Sequence, residues 1–144
     1  MLTTAEVQAH ASDPELAATL AAGDDVAAAA RLSQLLTDTV PVPLSKLAAW
    51  AASNGLRAQL QDAADTANHP LRSIALAALD LLRGSMSESF DTVVYAPMLD
   101  ALQAGGMFAV ADRDALTALA TQPRQISAND VARAVRNDDG STKL

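Results

Sequence analysis

Apolar positions along the chain recur at helical rather than strand spacing, in short blocks separated by Gly, Pro, Asn and Asp. Thr3 or Thr4 can cap a first short helix with Glu6 in its opening turn. Asp13-Pro14-Glu15 is a strong helix start, cap then proline then acid, and that helix stops at Gly23. Asp24 opens the next, with Val26, Ala29, Ala30, Leu32 and Leu36 near one face. A helix from Ser45 ends near Asn54-Gly55, and the following one carries Leu56, Leu60, Ala63 and Ala64 on a single face. After Pro70, Leu71, Ile74, Leu79 and Leu82 form a stripe that Ala75, Leu76, Ala78 and Leu81 widen. This predicts a central helix, apolar over most of its circumference and therefore buried. Further helices start near Pro97 and Asp112, and the last spans 128–136.

Two stretches break the rhythm. In 37–44 two prolines one residue apart favour an extended linker between helices, with room for a short edge strand. Segment 85–96 mixes serines, Phe90, Tyr95 and the β-branched Thr92, Val93 and Val94. The pattern as a whole predicts an all-α fold, an irregular multi-helix bundle of about eight short helices of ordinary length. It is read as one helical domain over 1–136, followed by a polar tail, 137–144, that frays.

Composition narrows the function. A chain of 144 residues can bury roughly two-thirds of its unfolded surface, enough for a core. Aromatics are only 3%, so that core rests on Leu, Ile, Val and Ala. The 10 basic and 17 acidic residues give a net charge of -7, which disfavours non-specific attraction to nucleic acid or anionic lipid. The chain has no cysteine, which excludes disulfides, thiolate catalysis and Cys-ligated zinc. No apolar run approaches the ~20 residues of a membrane span, and the N-terminus lacks the basic and apolar regions of a secretory signal.

No catalytic, metal or cofactor motif emerges. His10 and His69 sit at helix ends without the partners of a metal site. Asp24 and Asp112 stand at helix starts, where free N–H groups explain them, and Asp62 and Asp65 lie on an exposed side. Gly105-Gly106 is a helix terminator without a phosphate-binding motif, and Ser85, Ser87 and Ser89 lack a nucleophile signature. An enzyme would need a site unlike any local motif.

The stretch Gln125–Gly140 resembles the opening of a helix-turn-helix repressor, with Arg124, Arg133 and Arg136 at hand. That motif needs a second helix about 3–4 residues after the first. Asn137, Asp138, Asp139 and Gly140 follow instead, and carboxylates oppose phosphates. Ser127 and Asp130 read better as a capping pair, with Val131 and Val135 docking the helix and Arg133 and Arg136 solvated or paired with a neighbouring subunit. A small DNA-binding regulator is thus the alternative reading.

The densest large side chains are Met86, Phe90, Tyr95, Met98, Met107 and Phe108, residue types enriched at protein interfaces. Of these, Phe90, Tyr95, Met98, Met107 and Phe108, together with the linker's Val40, Val42 and Leu44 and the adjacent Val93 and Val94, make the candidate protein–protein interface, with core packing as the competing explanation.

The succession LTTAEVQAHASDPELAATLAAGDDVAAAARLSQ, NGLRAQLQDAADTANHPLRSIALAALDLLRG and MLDALQAGGMFAVADRDALTALATQPRQISANDVARAVRN covers most of the chain. It resembles small alanine-rich helical proteins encoded among the virion genes of tailed bacteriophages. The resemblance implies a non-enzymatic structural or assembly protein of the virion, such as a capsid decoration, head–tail joining or tail-associated protein. It also implies copies of itself and other virion proteins as partners, and assembly in the bacterial host cytoplasm. No functional residue is carried over from the group, and the polar NDDGSTKL extension departs from it.

Overall fold

The structure is a computed structural model describing residues 1–84, 89–137 and 139–144. It is mostly helical, with nine helices and four short strands among the described residues. The sequence reads as one helical domain over 1–136, but the backbone contacts gather into two compact units, residues 1–38 with 123–144, and residues 39–122.

The first unit holds α1 (Thr4–Ala9), α2 (Pro14–Ala21), α3 (Asp25–Leu35) and α9 (Ala128–Val135). Their starts follow the capping chemistry of the sequence. Thr3 and Glu6 form a reciprocal box on α1, Asp13 accepts the Leu16 N–H on α2, and Asp24 accepts the Ala27 N–H on α3. Ser127 and Asp130 form the box that opens α9. α3 packs against α2 and α9, and α1 against α9. The core is Leu2, Val7, Leu16, Ala28, Ala29, Leu32, Val131, Ala134 and Val135. Alanines at the α3–α9 contact let the two backbones approach closely. Two expectations fail on α3, because Val26, 71% exposed, and Ala30 face outward while Ala28 faces in. The buried face is set by where α2 and α9 lie, which periodicity alone does not specify.

The polar tail does not hang free. The Lys143 N–H donates to the Val135 carbonyl (2.7 Å), and Asn137 N–H donates to Ser141 O (2.7 Å). Arg136 and Thr142 form an isolated antiparallel bridge, so the chain reverses and runs back along the end of α9.

The second unit holds α4 (Leu44–Ser53), α5 (Leu56–Asp65), α6 (Arg72–Leu82), α7 (Ala96–Ala104) and α8 (Val110–Leu119). Two strands belong to it entirely, β2 (Val42–Pro43) and β3 (Ser89–Phe90), which pair antiparallel with Val42 opposite Phe90 and Pro43 opposite Ser89. The extended linker is therefore split. β1 (Thr37–Thr39) and β4 (Thr121–Pro123) make the other two-stranded sheet, and Leu44 already belongs to α4. β4 has no apolar alternation, which is why sequence patterning misses it. Pro43 presents no N–H, which suits a strand this short.

α5 packs on α6 and α4, and α7 packs on α6. Leu56, Leu60, Ala63 and Ala64 are all buried, as the stripe on α5 predicts. α6 is less enclosed than its composition suggests: Ala75, Ala78 and Leu79 are buried, but Leu76 is 42% exposed. Leucines around the whole circumference do not make a helix central when neighbours cover one side. Gly105 lies in a close approach, since a Cβ there would force the Leu71 side chain to shift.

Candidate functional site

All ten candidate interface residues fall in the 39–122 unit, but the fold sorts them into two groups. Val42, Phe90, Met107 and Phe108 are buried in its core. Phe108 meets Trp50 edge-on, with ring centroids 5.5 Å apart, and the Trp50 indole N–H donates to the Asp112 carbonyl (2.8 Å). Leu44, Tyr95 and Met98 are half-buried and packed against that core. Val40 is half-buried, and its N–H donates to the Ala120 carbonyl (2.7 Å). Met86 lies outside the described residues, as do Ser85, Ser87 and Asp138.

Val93 and Val94 are different: they are 67% and 66% exposed. They stand on a turn that the chain fastens from several sides. An Asp91 Oδ1 accepts both the Val93 N–H (2.9 Å) and the Val94 N–H (3.2 Å), the side-chain-to-backbone turn that aspartate favours. The Tyr95 N–H donates to the Asp91 carbonyl (3.1 Å), and the Ala96 N–H to the Val93 carbonyl (3.3 Å). Tyr95 then stacks on Phe90, with centroids 5.0 Å apart and planes 15° apart. Phe90 is itself buried and paired through β3 with Val42. Two apolar β-branched side chains are thus presented to solvent on a base anchored in the core. Sequence reasoning missed Asp91, whose signal was its place two residues before the valines. It also missed Val110, 64% exposed at the start of α8, where an Asp112 oxygen accepts the Ala109 N–H (3.0 Å).

Several charged side chains are paired away from this turn. In the first unit Arg124 donates to Glu6 (2.7 Å) and to Asp38 (2.9 Å), Arg31 donates to Asp13 (2.7 Å), and Arg136 donates to Asp25 (2.6 Å). Arg124 and Arg136 thus each pair within the unit. The Arg124 guanidinium, followed by the Thr3 N–H, pulls the Glu6 carboxyl down to about 2. Arg31, followed by the Leu16 N–H, does the same for Asp13, also to about 2. The Ser127 hydroxyl and N–H lower Asp130. These are groups held ionised by capping and pairing. His69 Nδ1 accepts the Leu71 N–H (3.1 Å) at the start of α6, and His10 closes α1. Among the described residues no three His, Cys, Asp or Glu converge as a metal site.

The concave features carry little chemistry. The second unit contains an apolar cavity of ≈ 30 Å³ lined by Trp50, Leu60, Phe90, Met98, Leu99 and Leu102 among others. The first has a cleft of ≈ 240 Å³ between the end of α2 and the returning tail, where Arg136 is already tied to Asp25. No described helix is long and apolar enough to cross a membrane. No protein-family model, curated protein or solved structure matches the chain.

Proposed function

We propose that the chain is a non-enzymatic structural or assembly protein of a tailed-phage virion, acting through repeated contacts with copies of itself and with other virion proteins. The observation that carries this reading is the Val93–Val94 pair, exposed on a turn fixed by Asp91 and by the Phe90–Tyr95 stack. Burying one valine side chain stabilises an association by about 1.5–3 kcal/mol before ordering costs. A pre-ordered turn keeps those costs low. Repetition over a symmetric ring or lattice multiplies a weak contact into a stable one. The resemblance in the order of helical segments to phage virion proteins supplies the setting: capsid decoration, head–tail joining or tail association.

The test replaces Val93 and Val94 by aspartate together. Isolated double-variant chain should keep the parent's circular dichroism, because neither side chain contributes to the core. Mass spectrometry of purified particles should find the parent chain and lose the variant. A parent chain missing from particles and monomeric at high concentration contradicts the proposal, as does a variant that assembles at the parent level.

A further inference from the structure

α4 and α5 are joined by the step Asn54–Gly55. In such a dipeptide the asparagine amide lies open to attack by the next backbone nitrogen, because glycine has no Cβ to shield it. Asparagine is correspondingly among the thermally fragile residues. Here the surroundings are specific. Asn54 closes α4 with φ −103° and ψ 5°, and its Oδ1 accepts the N–H of Leu56 (2.9 Å), the first residue of α5. Its Nδ2 is buried and has no hydrogen-bond partner. Gly55 is exposed at φ +73°, with no heavy atom within 4 Å of where a Cβ would stand.

These features act in opposite directions. The Leu56 N–H polarises the Asn54 side-chain carbonyl and stands where negative charge would develop on Oδ1 as a nitrogen adds. The amino group that must leave has no hydrogen bond to lose. Against this, ring closure requires the Gly55 nitrogen to swing to the Cβ side of Asn54, and at ψ 5° it points away. That rotation would pull the Gly55 N–H from Ala52 O. It would also displace the buried Trp50 and Leu56 on either side.

We infer that Asn54–Gly55 is a latent deamidation site gated by the α4–α5 turn, silent while the turn is closed and reactive when it opens locally. The Gly55 nitrogen gives up its proton and bonds to Asn54 Cγ. The Cγ–Nδ2 bond breaks, ammonia leaves, and a five-membered imide remains. Water then opens the imide. Attack at Cγ yields aspartate at position 54, and attack at the backbone carbonyl yields an isoaspartyl link. No electrons are transferred, and water is the sole co-reactant. Aspartate can keep the Leu56 N–H as its donor and lies favourably at the start of α5. The isoaspartyl product adds a methylene to the main chain between two helices that share one core, and so misplaces Trp50 relative to Leu56.

The experiment incubates the full chain in warm, mildly alkaline buffer, folded or unfolded in urea, and follows each asparagine by peptide mapping with mass spectrometry. Asn68, Asn129 and Asn137 are internal controls. In urea, Asn54 should convert first and give both products. In the folded chain its conversion should slow by about tenfold or more, the factor that even ~1.4 kcal/mol of local closure supplies. Sub-denaturing urea should raise the rate in step with local opening. Equal rates in the folded and unfolded chains would overturn the gate. Conversion of another asparagine ahead of Asn54 in urea would overturn the site.

Discussion

The unit made of 1–38 and 123–144 and the unit made of 39–122 are both helical, yet different side chains hold them together. The second contains every aromatic residue of the chain, Trp50, Phe90, Tyr95 and Phe108, arranged as one edge-on pair and one stacked pair. Its interior polar links run from side chain to backbone: Trp50 to Asp112 O, Gln59 to Met107 O and Arg72 to Ala64 O. The first unit has a small aliphatic core in which alanine takes three of nine places. Its segments, distant in sequence, are cross-linked by arginines, Arg124 to Glu6 and Arg136 to Asp25. Area drives the second unit, while charge and caps set the geometry of the first. Ion pairs at partly exposed sites add little stability, but they fix which segments meet. The two units should therefore answer differently to cavities, to lost caps and to acid.

The largest effect is expected in the aromatic core. Phe108→Ala should cost about 3–5 kcal/mol, through lost burial and the void left beside Trp50. Urea unfolding read by Trp50 fluorescence measures it, and a loss below ~1 kcal/mol would show that the edge-on pair is not central. In the first unit, Leu32→Ala removes a fully buried side chain between α2 and α9 and should cost about 2–5 kcal/mol. Amide hydrogen exchange confined to 1–38 and 123–144 reads that loss. Ser127→Ala comes next, at about 0.5–2 kcal/mol, because it removes the acceptor for the Asp130 N–H. Faster exchange in the first turn of α9 is the signature.

The smallest effect at neutral pH sharpens the contrast most in acid. Glu6 and Asp13 are held near 2 when folded, against ordinary values of 4.5 and 3.8. Their stabilising contribution is complete above the ordinary values and is lost as pH falls from there toward about 2. Arg124→Met should therefore lower stability at neutral pH, by the modest amount a partly exposed pair supplies, and should converge with the parent in acid. It should remove Glu6's share of the acid response, visible as a flatter dependence of first-unit exchange on pH over that window. An unchanged slope would mean that the Arg124–Glu6 contact does not persist in solution.

Helix starts were legible because capping is local chemistry. Thr3, Asp13, Asp24 and Ser127 each needed only residues within one turn. The buried face of α5 was equally legible from its spacing. What sequence could not specify depended on neighbours distant in the chain. Val26 points outward because α2 and α9 cover the other side of α3, and Leu76 because α6 is covered on one side. The candidate interface shows the same limit. Large apolar side chains near one another do not reveal whether they turn inward, and only Val93 and Val94 of the ten stand mostly free. Asp91, which fastens that turn, is marked in the sequence only by its place two residues before the valines.

The most direct test of a contact surface at Val93–Val94 is a cryo-EM map of phage particles carrying the chain. The expected map contains this chain in repeated copies, with the 91–95 turn seated against a neighbouring protein. A particle without the chain, or one in which both valines face open solvent in every copy, would contradict that role.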